Sequence, residues 1–463
     1  MASTPPDHDP SRSPHHSLSQ RHAISIIVGV VIGAGIFQAP SIVAGNVPSP
    51  GWLFAVWAAG GVLSLIGALC YAELATTYPH AGGDYHFLTR AYGKGLALLY
   101  AWARFSVITT GSIALLAFLF GEYMTRIVPL GPYSGAVWAA LSVLGLTWLN
   151  LRGLRSGAGA QMWLTALEVL GLILIVSAAS WMAAAPPPAA VISAAAASPQ
   201  AALSLQGLGL AMVFVLLTYG GWNEAAYISA ELKERVSMVR VLVVSILIIT
   251  ALYLLVNWAY WYVLGLNGMA ASTAVAADLL KTVFGRTGET LVSLAVVISA
   301  LTSINATIIV GARTNYAFGR DWPQLSALGA WDGIRDTPTA ALLVQGMFAL
   351  ILVGAGLAFG GGFKSMVEYT APVFWLFFLL TGIALFVLRI RDADAVRPFK
   401  VPLYPLLPLV FCLSCAYMLW SSLSYVSSQA LGGFNAAWIG VVVLASGAIV
   451  LLFFSLRPQK TAA

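Results

Sequence analysis

Charge is what this chain has least of. Only 9% of its 463 residues are Asp, Glu, Lys or Arg, whereas 59% are hydrophobic. A soluble domain carries roughly 25% charged residues, so polar groups here are too few to clothe a globular surface and the surrounding solvent must be largely lipid. Cysteine is scarce as well. Cys70, Cys412 and Cys415 lie in or beside apolar runs, lack metal-ligand spacing and acidic or histidine company, and read as packing. The histidines are His8, His15, His16, His22, His80 and His86, none of them inside an apolar run, so no nucleophile–base or metal set is available for a membrane enzyme. No Walker-type loop is present, which excludes direct ATP drive. The short alternating stretches of a membrane barrel are missing too, leaving a helical bundle.

What is present is a succession of apolar runs, many longer than the ~20 residues that cross a ~30 Å hydrocarbon core. They predict twelve spans at about 23–47, 51–79, 96–128, 133–151, 158–183, 206–231, 236–264, 288–312, 338–358, 365–388, 402–426 and 435–456. Turn chemistry separates them, as at Pro48-Ser49-Pro50-Gly51, His80-Ala81-Gly82-Gly83, Gly131-Pro132 and Pro186-Pro187-Pro188. Residues 1–22 are polar and proline-rich, with no apolar segment of their own, and predict a disordered cytoplasmic tail. With the N-terminus inside, eighteen of the 23 basic residues fall in inner segments, four in outer ones, and Arg104 within a span. That asymmetry obeys the positive-inside rule and places both termini in the cytoplasm of a cell (inner) membrane protein. The net charge of +6 is scattered over loops and predicts no nucleic-acid partner.

Two spans are interrupted by glycine. The first reads Ile32-Gly33-Ala34-Gly35-Ile36-Phe37 and the sixth Leu217-Thr218-Tyr219-Gly220-Gly221-Trp222-Asn223. Each interruption lies about 11–14 residues into its span, on the order of 16–21 Å, near the bilayer midplane. Irregular backbone at that depth is tolerated only where it lines a cavity or is buried in protein. The glycines either allow close helix packing or mark a binding site in corresponding positions of two inverted halves. In the second reading, the amides of Ala34, Gly35 and Ile36 offer partial positive charge, and carbonyls from Leu217 through Thr218 to Gly220 offer partial negative charge. An anion and a cation held side by side describe a zwitterion, of which an α-amino acid is the commonest.

These breaks resemble the amino acid–polyamine–organocation superfamily, and within it the bacterial and L-type amino acid transporters. So do Tyr71-Ala72-Glu73-Leu74 with Pro79-His80-Ala81-Gly82-Gly83-Asp84-Tyr85, and the run Arg397-Pro398-Phe399-Lys400-Val401-Pro402. The match covers about residues 22–400. The resemblance implies an all-α membrane protein of the LeuT-type fold. Residues 23–183 would form a first five-helix repeat, 206–388 a second, inverted one, and 402–456 two accessory C-terminal helices. It implies that a substrate carboxylate meets the backbone of Ala34 and Gly35. The α-amino group would meet carbonyls at Val31, Leu217 and Gly220, with Asn223 a polar wall. Leu217 stands where relatives often carry a bulky aromatic gate.

A few charges lie within the spans. Glu168, about ten residues into the fifth, must be protonated, paired or wet, which makes proton coupling available; relatives often carry lysine here, so their coupling does not transfer. Thr302 and Ser303, in the run Ser299-Ala300-Leu301-Thr302-Ser303, either supply oxygen ligands to Na⁺ or bond back to their own helix. Arg104 needs a partner, and Glu73 and Glu168 are the candidates, as a structural pair or as a gate. Glu224 could draw a cationic side chain, take a proton, or pair with a nearby Lys or Arg. Tyr369 and Trp375 are candidate gate aromatics.

The resulting expectation is a secondary-active carrier of L-amino acids, neutral ones foremost, working by alternating access as an exchanger or an H⁺- or Na⁺-coupled symporter. Its partners would be a small-molecule substrate and the bilayer; no cofactor and no obligate protein partner is evident. The alternatives are an amino-acid sensor without net transport, and a carrier of a related amine or a cationic amino acid.

Overall fold

The computed structural model describes residues 28, 31–80, 83–152, 158–184, 204–224, 237–332, 337–358, 362–428 and 436–456. The expected tail at 1–22 lies outside the described residues. The rest form helices and their connections, with one isolated bridge between Asp332 and Thr337. In chain order these are α1 (Ala39–Ala44), α2 (Pro50–Thr77), α3 (Gly83–Tyr92), α4 (Lys94–Ile127), α5 (Ser134–Leu151), α6 (Ala158–Ala184) and α7 (Leu205–Thr218). There follow α8 (Ser237–Ala271), α9 (Val275–Asp321), α10 (Thr339–Ala358), α11 (Gly362–Arg391), α12 (Leu406–Ser428) and α13 (Ala436–Leu456). Among the described residues nine helices are long and apolar enough to cross a membrane, and α7 and Ile439–Val450 of α13 are shorter apolar helices. The chain is a multi-pass membrane protein.

The helices are apolar on all sides because one side meets lipid and the other meets protein. Each must satisfy its own backbone, since hydrocarbon offers no substitute donors or acceptors. Local signals set the ends. Pro50 starts α2, where its missing N–H costs nothing, and the Ser204 hydroxyl caps α7 by accepting from the Gly207 amide at 3.0 Å. The eighth expected span, 288–312, is overrun in both directions. Helix α9 continues to Asp321, and its first segment bends into the rest at Gly285, where φ is 63°.

Helix α4 is central, packing on α9, α5 and α11, while α2 packs on α8, α6 on α8 and α9, and α12 on α7 and α11. Midway along α4 the backbone widens into a π-helical turn over Arg104–Thr109. Such a turn shifts carbonyls away from their usual partners. Here the Ser106 carbonyl accepts from Thr110 Oγ1 at 2.8 Å and from Tyr369 Oη at 2.9 Å. Tyr369 thus serves as a strut between α11 and α4.

Charged side chains gather at both ends of the bundle. At the α3 end, Glu73, 1% exposed, accepts from Arg389 Nε at 2.7 Å and Nη2 at 2.5 Å, and from the Val401 amide at 2.6 Å; Arg397 lies 3.7 Å away. The motif around Glu73 and the Arg397–Pro402 run therefore meet. Beside them Asp392 takes Arg90 at 2.8 Å and Tyr78 Oη at 3.1 Å. The Arg90 guanidinium beside Asp392 holds its carboxyl below the usual carboxylate range. At the opposite end Arg126 reaches Asp278 at 3.1 Å and Glu289 at 3.7 Å, with Lys281 3.1 Å from Glu289.

Candidate functional site

Both glycine interruptions are breaks in the helix. In the first, the Gly33 amide turns back onto the Val31 carbonyl at 2.8 Å, a 3-10 turn runs Ala34–Phe37, and α1 resumes at Ala39. No side chain caps the turn, so its first amides, beginning at Ala34 and Gly35, have no acceptor within it. In the second, α7 stops at Thr218, the Gly220 amide closes onto the Leu217 carbonyl at 3.1 Å, and a short turn Trp222–Glu224 follows. Gly221 sits at φ 106°, a region open to glycine and costly for other residues. Its amide donates to Asn223 Oδ1 at 3.3 Å, so Asn223 is engaged in shaping the break. The two breaks touch. A Cβ built on Gly35 would fall 3.1 Å from Thr218 Oγ1, and any larger side chain there would force the breaks apart.

Buried tyrosines from α8 tie this backbone together. The Tyr253 hydroxyl donates to the Val31 carbonyl at 2.9 Å and reaches the Thr218 carbonyl at 3.2 Å, so one phenol spans both breaks. Tyr260 reaches the Ile36 carbonyl at 3.5 Å, and Tyr123 of α4 donates to the Phe37 carbonyl at 2.9 Å. A carbonyl has two lone pairs, and both on Val31 are in use, by Gly33 and Tyr253. Sequence reasoning passed over Tyr253 because a tyrosine in an apolar run looks like core packing; only its depth, level with both breaks, marked it.

Two larger cavities adjoin the breaks. One, of about 260 Å³, is bordered by Val31, Gly33, Gly35, Leu217, Thr218 and Gly220. Leu115, Leu116, Phe214, Phe363 and Val367 close it with apolar surface. The other, about 470 Å³, lies toward α3 and is bordered by Gly221, Asn223, Asp84, Tyr100 and Arg104, together with Phe374, Phe377 and Phe378. Ser112 borders both. The aromatic rings at these two cavities are Tyr71, Tyr100, Phe214, Phe363, Phe374, Phe377 and Phe378, and Trp375 borders a third, of about 20 Å³, beside Gly220 and Trp222. Tyr369 braces α4, and Trp375 packs edge-on against Phe374 at 5.5 Å.

The expected charge partners rearrange. Arg104 does not meet Glu73, which Arg389 and Arg397 occupy at the bundle end; Arg104 donates to Tyr100 Oη at 3.3 Å. Nor is Glu168 paired with Arg104. Its carboxylate, on a residue 7% exposed, accepts from Ser299 Oγ. Depth along a helix is legible from residue count, but the rotation that decides which neighbour a side chain meets is set by packing. Thr302 donates to its own helix at Ile298 O, 2.9 Å away, and neither Thr302 nor Ser303 borders either cavity. The side chain of Glu224 lies outside the described residues.

The amino acid permease family model matches residues 18–445, nearly the whole chain. The chain belongs to the amino acid permease family. This permease is 32% identical over 402 residues to the b(0,+)-type amino acid transporter 1 of Mus musculus, covering 86% of this chain and 80% of the relative. The human protein of that name matches at 32% over 401 residues, covering 85% and 80%. Identity to the Large neutral amino acids transporter small subunit 2 of Mus musculus is 30% over 408 residues, covering 87% and 75%. The family and these relatives are transporters, so the permease is not an enzyme.

Proposed function

We propose that the chain is a secondary-active transporter of L-amino acids that works by alternating access, with the amino acid head held between the two helix breaks. The observation that carries this reading is the 260 Å³ cavity bordered by Gly33, Gly35, Leu217, Thr218 and Gly220 from both breaks at once. Amides of Ala34, Gly35 and Ile36 receive the carboxylate. Carbonyls at Leu217 and Gly220 face the ammonium. The apolar remainder, Leu115, Leu116, Phe214, Phe363 and Val367, favours neutral side chains, because a charge there has no partner to offset its desolvation. In this reading the bundle has twelve spans: two inverted five-helix repeats at 23–183 and 206–388, and two accessory spans at 402–456, with both termini in the cytoplasm.

Proton coupling through Glu168 is supported by its burial and by its contact with the Ser299 hydroxyl, a small neutral partner that suits a carboxyl able to gain and lose a proton. The sodium reading at Thr302 and Ser303 is weaker, since the Thr302 hydroxyl bonds to its own helix. The name of one relative calls it a small subunit, so the expectation of no obligate protein partner is withdrawn in favour of a chain that can pair with a larger one.

Uptake into proteoliposomes, competed by all twenty L-amino acids under imposed H⁺ and Na⁺ gradients in turn, tests both parts. Saturable uptake of neutral amino acids, quickened by an inward proton gradient and made insensitive to it by Glu168→Gln, is expected. Failure of every amino acid to enter or compete would sink the transport reading. Unchanged ion dependence in Glu168→Gln would remove Glu168 from coupling.

A further inference from the structure

The larger cavity is built unlike its neighbour. Where the 260 Å³ space offers backbone, apolar side chains and the hydroxyl-bearing Ser112 and Thr218 but no charge, the 470 Å³ space carries a carboxylate and a guanidinium on its wall. Tyr100 Oη donates to Asp84 Oδ2 at 3.3 Å and accepts from Arg104 Nη1 at 3.3 Å. Opposite charges thus flank one hydroxyl. Thr381 Oγ1 adds a donor to Asp84 Oδ1 at 3.4 Å. The apolar rings of Phe374, Phe377 and Phe378 border the same space, Phe377 edge-on to Tyr100 at 5.1 Å.

Arg104 also opens the π-helical turn of α4, and three members of that turn, Arg104, Ile108 and Thr109, border the cavity. A π turn rotates side chains off the regular helical stripe and is frequent at functional sites. Ser112, one turn further on, borders the cavity at the helix breaks as well, so a molecule leaving the breaks past Ser112 enters this space directly.

The geometry points to a second amino-acid site in this cavity, occupied in transit. The substrate's ammonium lies at Asp84, its carboxylate at Arg104, and its side chain against the three phenylalanines. The inference rests on the reading of the chain as an amino acid carrier. Tyr100 contacts both charges, which lowers the desolvation cost of burying them. A zwitterion must compete with the contacts these charges already make, so this site is the weaker of the two.

The test is equilibrium dialysis of the full chain in lipid nanodiscs against each of the twenty tritiated L-amino acids in parallel, carried to saturation. At least one amino acid is expected to bind at two equivalents per chain, the second more weakly. Asp84→Asn and Arg104→Gln each reduce this to one equivalent, with the tighter dissociation constant changed less than about twofold. Ala306→Phe, which fills the cavity from its apolar wall and leaves the Asp84–Tyr100–Arg104 contacts in place, gives the same loss and stands in for any charge variant that fails to fold. A single equivalent in the wild type overturns the inference, as do two equivalents retained in Ala306→Phe. Zero equivalents for all twenty would overturn the carrier reading itself, a separate result.

Discussion

The two ends of the bundle handle charge in opposite ways. At the α3 end, Glu73 is 1% exposed and grips Arg389 with both oxygens while taking the Val401 amide. At the other end, the side chains of Arg126 and Asp278 are each 26% exposed to solvent. A buried carboxylate that loses its cation is left with an uncompensated charge, whereas a wet pair merely exchanges one set of contacts for water. The α3 end is therefore a fixed joint among α2, α11 and the chain leading into α12. The opposite end is wetter at Arg126 and Asp278, although Glu289, held by Arg126 and Lys281, is only 9% exposed.

Four outcomes would break or sharpen that contrast. The largest belongs to Arg389→Gln, which leaves Glu73 buried with its bidentate partner gone. A loss of about 3–5 kcal/mol is expected, read as a marked fall in the thermal unfolding midpoint in detergent. A change as small as that of a surface pair would refute the fixed joint. Next is Tyr253→Phe, between the two ends, which removes the hydrogen shared by the Val31 and Thr218 carbonyls. It should cost about 1–2 kcal/mol and reduce uptake in proteoliposomes while Tyr260→Phe, whose contact at 3.5 Å is longer, does less.

The third outcome concerns pH. Arg90 lowers the Asp392 carboxyl in the folded protein, so this pair's contribution is complete above the ordinary Asp value of about 3.9. It is lost as pH falls below that value through the folded-state one. Melting curves from neutral to acid pH should fall more gently for Asp392→Asn than for the wild type; parallel curves would show that the pair adds nothing. The smallest effect belongs to Asp278→Asn at the opposite end, within about 1 kcal/mol and fading as salt is raised. A large, salt-independent loss there would erase the contrast.

Much of this was readable before any coordinates. Long apolar runs marked a multi-pass helical bundle, nine of whose helices are of membrane length among the described residues, because each helix must close its own hydrogen bonds in lipid, and paired glycines marked both breaks because little else interrupts such runs. Less was readable of the charges. Residue count gave Arg104, Glu73 and Glu168 comparable depths, yet Glu73 meets Arg389, Glu168 meets Ser299 and Arg104 meets Tyr100. Which neighbour a side chain faces depends on helix rotation, and the π turn beginning at Arg104 adds a rotation that no regular periodicity reveals. Asp84 escaped notice for another reason. The sequence shows it only as a member of the Pro79–Tyr85 motif, and only the fold turns it toward the cavity.

The Tyr253 hydroxyl has one hydrogen and two claimants. Drawing the Val31 carbonyl toward a ligand frees that hydrogen for Thr218, and tightening Thr218 does the reverse. By thermodynamic reciprocity, whatever free energy an event at one break sends to the other must return in equal measure. The phenol is thus a balance beam whose two pans are the halves of the candidate site. Any contact that loosens the phenol's hold on one break's carbonyl therefore tightens its hold on the other's.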